Sequence, residues 1–283
     1  MNTIVTNTPA GLYCRAGDFH IDPRQPVKRA VITHAHADHA RWGCRSYLCT
    51  RESRPLLRAR LGPDVAIQDL AYGETVSVHT VRLSLHPAGH ILGSAQVRIE
   101  QDGQVLVVSG DYKDGPDPTC TLLEPLRCHT FISESTFGLP IFKWPRQGDV
   151  IRDIQSWWQR NREEGRTSIL FAYALGKAQR VLAGLDAAIG PIFTHGAVEA
   201  MNACYRQQGI ALPDTRPVSR VDDPRRFEGA MVIAPPSANT NSWTKRFKQV
   251  SQAFASGWMS VRQRAKQSGV ELPLIMSDHA DWD

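Results

Sequence analysis

No run of about 18 consecutive apolar residues occurs in the chain, which excludes a helix long enough to span a bilayer. No C-x-x-C pair occurs among the six cysteines (Cys14, Cys44, Cys49, Cys120, Cys128 and Cys204), which argues against a thiolate zinc knuckle. The opening MNTIVTNTPAGLYC has neither the basic region nor the apolar core of a secretory signal, so a cytoplasmic location is expected. In that compartment the cysteines are expected to be reduced thiols. There is no internal repeat and no low-complexity linker. Charge is only modestly unbalanced, with 33 Lys and Arg against 28 Asp and Glu, a surplus that suits a polyanionic partner without specifying one. What is present is the material for a core. Hydrophobic residues make up 42% of the 283, enough for one large domain or two ordinary ones.

The first half reads as short strands between tight loops. KRAVIT (28–33), VRLSLH (81–86), AQVRIE (95–100), QVLVVS (104–109) and TFISES (130–135) are rich in β-branched and aliphatic residues. Asp102-Gly103 separates two of them and predicts a two-residue hairpin, because both positions of that turn need positive φ. From residue 147 the pattern changes to alternating helix and strand. DVIRDIQSWWQRNREEG sets Ile151, Ile154 and Trp157 or Trp158 on one helix face and stops at Gly165. SILFAYAL (168–175), PIFT (191–194), AMVIAPPS and ASGWMSV are expected strands, with GKAQRVLAGLDAA and AVEAMNACYRQQG as helices. Such alternation implies β-α-β crossovers and a parallel sheet.

VITHAHADHARW (31–42) crowds His34, His36, Asp38 and His39 into a loop directly after a strand. Neutral imidazole nitrogens and carboxylate oxygens are ligands for divalent metals, and three or four of them hold one ion. His34 and His36 suit one ion, while Asp38 and His39 point to a second; two ions about 4 Å apart would share a nucleophilic oxygen. A solvated histidine-rich loop or a single structural site is the alternative. PAGHILGSA (87–95) adds His90 in a glycine-rich turn, and VVSGDY (107–112) adds Asp111 directly after a strand. Each is weak alone; together, in this order, they favour metal binding.

THAHADH, AGHILGSA and SGD resemble the first three metal motifs of the metallo-β-lactamase fold, an αββα sandwich whose loops hold two metal ions at one edge. The resemblance assigns His34, His36 and His90 to one ion, Asp38 and His39 to the other, and Asp111 as the bridging carboxylate. It implies two divalent ions, zinc with manganese as the alternative, and hydrolysis by a water they activate. FISESTFG (131–138) resembles motif A of the β-CASP nucleases, with Glu134 as its acid, and MSDHADW (276–282) resembles motif B, with His279. In that family the histidine donates a proton to the leaving oxygen and the acid orients it.

The implied architecture is an α/β chain in three parts. Residues 1–139 form the N-terminal part of the metallo-β-lactamase domain, 140–275 an inserted β-CASP cap, and 276–283 the start of the return to the first domain. Within the cap, Lys177 and Arg180 are candidates for phosphate contacts at a helix N-terminus, with a solvated helix face as the alternative. Ser237 and Asn239 are candidates of the same kind, with a polar turn as the alternative.

THAHADHARWG, HPAGHILGSAQ, YALGKAQR, HGAVEAMNACYR and SDHADW look most like the bacterial DNA ligase-associated exonucleases. That likeness implies a nucleic-acid substrate with DNA favoured over RNA, a role in DNA repair, and functional association with a DNA ligase and a helicase. The alternatives are an RNA nuclease of the 3′-end-processing or RNase J kind, and a nucleic-acid-binding scaffold with an incomplete second metal site. The last arises because the family's motif C supplies a further histidine after motif B, and none follows His279 here. His195 stands in a similar T-H-G context but in the wrong order, which favours a structural or substrate-side role. The expectation is a chain truncated at its C-terminus, with apolar surface exposed near VELPLIM.

Overall fold

The computed structural model describes residues 3–283, apart from the side chain of Asn241, and the chain divides after Thr136 into two units. The first unit is built from two sheets. Strands β1 (Thr6–Thr8), β2 (Gly11–Cys14), β3 (Phe19–Ile21), β4 (Arg29–Val31), β5 (Ser46–Thr50) and β6 (Ile67–Leu70) lie in sequential order. They are antiparallel as far as β3 and parallel from there to β6. Strands β7 (Thr75–Val78), β8 (Val81–Pro87), β9 (Ala95–Gln101), β10 (Gln104–Val108) and β11 (Thr130–Ile132) form the second sheet, ordered β11-β10-β9-β8-β7. Only its β10–β11 pair is parallel.

The expected hairpin joins β9 to β10, with φ of +49° at Asp102 and +76° at Gly103. Leu83 and Leu85, alternate residues of β8, lie opposite Ile99 and Val97 of β9, and all four are buried. Phe19, Ile21 and Val31 of the other sheet complete this core, so the two sheets pack face to face. The short helix α1 (Arg54–Leu61) carries Arg54, Arg58 and Arg60, and Arg51 lies just before it. Arg54 and Arg51 pair with Asp69 at 2.6 and 3.5 Å, while Arg58 and Arg60 are solvent-exposed.

The second unit is a wholly parallel sheet with helices. Its strands are β12 (Thr167–Phe171), β13 (Ile192–Thr194), β14 (Arg216–Pro217), β15 (Met231–Ala234), β16 (Val250–Ala255) and β17 (Leu272–Leu274), ordered β14-β13-β15-β12-β16-β17. The crossover elements include α2 (Gln147–Glu163), α3 (Lys177–Gly184) and α4 (Gly196–Gln207). Every residue of the central strand β12 is buried, as a parallel strand covered on both faces requires. Leu170 joins a core with Ile154, Trp157 and Trp158 of α2 and Val181 of α3; Ile169 and Phe171 face an opposite core with Phe193, Val232 and Phe227. Both tryptophans also satisfy their indole N–H, Trp157 on Ser251 Oγ (2.8 Å) and Trp158 on the Gly229 carbonyl (3.1 Å).

Three expectations need correction. ASGWMSV is not a strand: Gly257–Ser260 is a 3-10 turn, capped by the Ser256 hydroxyl accepting from Trp258 N (3.3 Å), and the strand is the preceding VSQAFA. SILFAYAL leaves the sheet after Phe171, because Gly176, at φ +88°, turns the chain into α3. Nor is VELPLIM an exposed apolar surface, since Leu274 and Met276 are each 4% exposed and belong to the core of the second unit. Residues 276–283 likewise fall in that unit. Among the described residues none of the six cysteines is joined in a disulfide. Among the described residues no helix is long and apolar enough to cross a membrane.

Candidate metal centre

Three loops at the ends of β4, β8 and β10 converge in the first unit. Ala95 N donates to the Thr33 carbonyl (2.8 Å), tying the β8–β9 turn to the histidine loop. Ser94 Oγ accepts from the N–H groups of His90 and Ile91 (3.1 and 3.2 Å) and closes that turn. The glycine before Asp111 is required. Gly110 sits at φ +58°, and a Cβ there would lie 2.6 Å from the Thr33 Cβ.

These loops bring His34, His36, His90 and Asp111 together, with one ligand atom from each lying within 4.8 Å of all the others. His36 Nδ1 is 3.1 Å from His34 Nε2 and 3.2 Å from His90 Nε2. Asp111 Oδ2 is 3.5 Å from His34 Nε2 and 3.7 Å from His90 Nε2. A tetrahedral ion with bonds of about 2.0–2.1 Å separates its ligand atoms by roughly 3.3 Å, so the donor set and its spacing fit one divalent cation. His34 and His90 are buried, which shields such a site from bulk water.

The other Asp111 oxygen serves a second set. Oδ1 is 3.4 Å from His39 Nε2, which is 3.7 Å from Asp38 Oδ2. Asp38 is the exposed member, its side chain 74% accessible. Asp111 is thus placed between the two groups, one oxygen toward each.

Asp22, which no sequence motif singled out, sets the geometry of the second group. Its Oδ2 accepts from His39 Nδ1 (2.8 Å) and from Thr33 Oγ1 (2.5 Å), and its Oδ1 accepts from Thr33 N (2.8 Å). With the imidazole proton on Nδ1, the Nε2 lone pair is turned toward Asp111 and Asp38. Burial alone pulls the His39 pKa down. The Asp22 hydrogen bond and the charges of Asp22, Asp111 and Asp38 outweigh it and raise the ion-free group to about 9. Removing such an outer carboxylate typically costs 10–100-fold in metal affinity. Asp22→Ala is therefore expected to weaken one of two metal-binding steps by about that factor in calorimetric titration and to leave the other in place; two unchanged steps would remove Asp22 from this role.

Glu134 lies in the same unit. Its Oε1 accepts from Tyr112 N (2.9 Å), next to Asp111, and its own N–H donates to Ser109 Oγ (3.2 Å). His279 lies in the second unit, with its N–H on Ser277 Oγ (3.1 Å), its carbonyl accepting from Trp144 Nε1 (2.9 Å) and its ring edge-on to Phe137.

Lys177 and Arg180 are neither phosphate contacts on an open surface nor a solvated helix face. They are 3% and 1% exposed. Lys177 Nζ pairs with Asp278 Oδ1 (2.8 Å), and Arg180 Nη1 donates to the Ser277 carbonyl (2.6 Å). Both bases hold the segment that carries His279. Ser237 and Asn239 are exposed after β15. His195 is the N-cap of α4, its Nδ1 accepting from Ala197 N (3.1 Å).

Fold and ligand set define an α/β protein with a histidine-rich metal site. No family model matches the chain. It is 30% identical, over 96% of its length, to a probable DNA ligase of Opitutus terrae, and 26% identical, over 63%, to an RNase J-like protein of Methanocaldococcus jannaschii. It is also 28% identical, over 56% of its length, to cleavage and polyadenylation specificity factor 73 of Drosophila melanogaster. The matches take in 26%, 50% and 24% of those relatives, so the chain spans half or less of each. A solved structure of a protein of unknown function from Enterococcus faecalis shares the fold, with a TM-score of 0.56 over 89% of this chain and 70% of its own, at 12% identity. The chain belongs to the β-CASP family of metallo-β-lactamase nucleases.

Proposed function

We propose that this chain is a metal-dependent phosphodiesterase, specifically a DNA exonuclease acting in DNA repair. The observation that carries the reading is the placement of Asp111, with one carboxylate oxygen toward His34 and His90 and the other toward His39. On this reading His34, His36, His90 and Asp111 hold one ion, and Asp38, His39 and Asp111 hold the second, zinc at both. Such ions, when bound, lower the pKa of water and draw charge from phosphate oxygens. The protein's own groups do the rest. Asp22 keeps His39 in the tautomer that offers Nε2, Glu134 orients the proton donor, and His279 delivers a proton to the departing oxygen. The proposed architecture is an αββα domain over residues 1–139, a cap over 140–275 and a return from 276.

DNA as substrate is supported by the match to a probable DNA ligase along nearly the whole chain, which also supports a partnership with a ligase. The RNase J-like relative favours a second reading, in which RNA is the substrate. End-labelled single-stranded DNA and RNA of one sequence, incubated with the zinc- or manganese-loaded protein, separate the two. Release of single nucleotides from DNA is expected. Hydrolysis of RNA alone would establish the second reading, and no hydrolysis of either strand would overturn both.

A further inference from the structure

We propose that an arginine-lined cavity in the second unit binds the phosphate backbone of a nucleic-acid strand. The cavity, of about 750 Å³, lies beside the edge strand β14 and the first turn of α4. Arg216, Arg220 and Arg226 line it, all three exposed, and none of their side chains makes a hydrogen bond or ion pair among the described residues.

The acids around the cavity are largely neutralised already. Glu199 pairs with Arg206 (3.2 Å) and accepts from the hydroxyls of Thr194 and Thr215 (2.6 Å each). Asp223 pairs with Arg225 (2.9 Å). Asp223 also lies within reach of the Arg226 charge, and Asp222 completes the acids of the lining; counted with Arg206 and Arg225, which pair with two of these acids, the cavity and its rim carry a surplus of positive charge. A guanidinium presents a planar fork of donors that matches phosphate oxygens in pairs, which makes phosphate the anion best suited to it.

The backbone holding these arginines is fixed. Arg220 ends a 3-10 turn (Val218–Arg220) anchored by buried Val218, and Arg226 lies in another (Pro224–Phe227) anchored by buried Phe227. The second turn is capped by Asp223, whose side chain accepts from Arg225 N (3.0 Å). The cations therefore project from a rigid rim, and less ordering is needed on binding than for arginines on a free loop.

The phosphate chemistry follows from the cavity itself, whereas a nucleic-acid strand as its bearer rests on the function proposed above. The test reads binding of a fluorescein-labelled single-stranded oligonucleotide by anisotropy, in EDTA so that nothing is cut, across a series of salt concentrations. R216A/R220A/R226A is compared with R160A/R262A/K266A, which removes equal charge from exposed positions elsewhere in the unit. The cavity variant is expected to lose about tenfold or more in affinity, with a slope of log K against log salt shallower by about 2, as the loss of three single-strand phosphate contacts requires. The control variant should stay near the wild type, and R216K/R220K/R226K should recover most of the binding.

Equal losses in the cavity and control variants, or none in either, would overturn the cavity as a site. Metal-dependent cutting by the wild type in that same case would leave the nuclease reading standing. A wild type that binds the strand through these arginines but cuts nothing would sink the nuclease reading and keep the cavity.

Discussion

Asp111→Ala should reduce metal-dependent phosphodiester hydrolysis by roughly 10²–10³-fold, the scale seen when a principal charge-stabilising group is removed. Its effect should exceed that of any other single change at the centre, because one side chain faces both ligand sets. Oδ2 lies 3.5 and 3.7 Å from His34 and His90, and Oδ1 lies 3.4 Å from His39. Of the two ligand sets Asp38 belongs to that of His39 (3.7 Å), so Asp38→Ala should lower the occupancy of one ion, whereas Asp111→Ala should lower both. Metal content of the dialysed protein, measured beside kcat/KM, checks this. Two ions retained by Asp111→Ala would show that the carboxylate is not shared.

Lys177→Met should be the more damaging change to stability. The Lys177–Asp278 pair is 2.8 Å long, with side chains only 4% and 3% accessible, so water does not screen it. Removing the lysine leaves the Asp278 carboxylate buried without this cation, a loss of about 3–5 kcal/mol. At about 2–4 °C per kcal/mol for larger domains, the melting temperature should fall by roughly 10 °C. Lys177→Met with Asp278→Leu should recover much of that, since a buried pair replaced by apolar groups costs little. A single variant melting within a degree or two of the wild type would mean that the pair contributes almost nothing.

The metal ligands were legible because their chemistry is written at short range. His34, His36, Asp38 and His39 lie in one loop, and only a few residue types can ligate an ion. Asp22 was not legible, since D-P after a short strand reads as an ordinary turn and its link to His39 spans 17 positions. Lys177 and Arg180 were misread for the same reason. Basic residues after a glycine at a helix start read as solvent-facing, and the partner that buries Arg180 lies 97 positions away. Among the strands, β12 and β15 announced themselves as aliphatic runs. VSQAFA did not, because its Ser, Gln and Ala are weak strand formers held by pairing with β12 and β17 on either side. ASGWMSV has strand-like composition, but Gly257 approaches Phe137 so closely that an added Cβ would lie 2.8 Å from the ring, a constraint invisible in composition.

The close approach of Gly110 to Thr33 also limits how this chain can change over generations. Every missense allele at position 110 adds a Cβ, and the nearest atom it meets is the Cβ of Thr33, which any residue except glycine would keep. Relief from a second site would therefore have to come through Thr33→Gly, which discards the hydroxyl bonded to Asp22 and loosens the hold on His39. The two positions form an epistatic lock: neither single step nor the compensating pair leaves the centre intact, so in a deep mutational scan position 110 should be as intolerant as the ligands themselves.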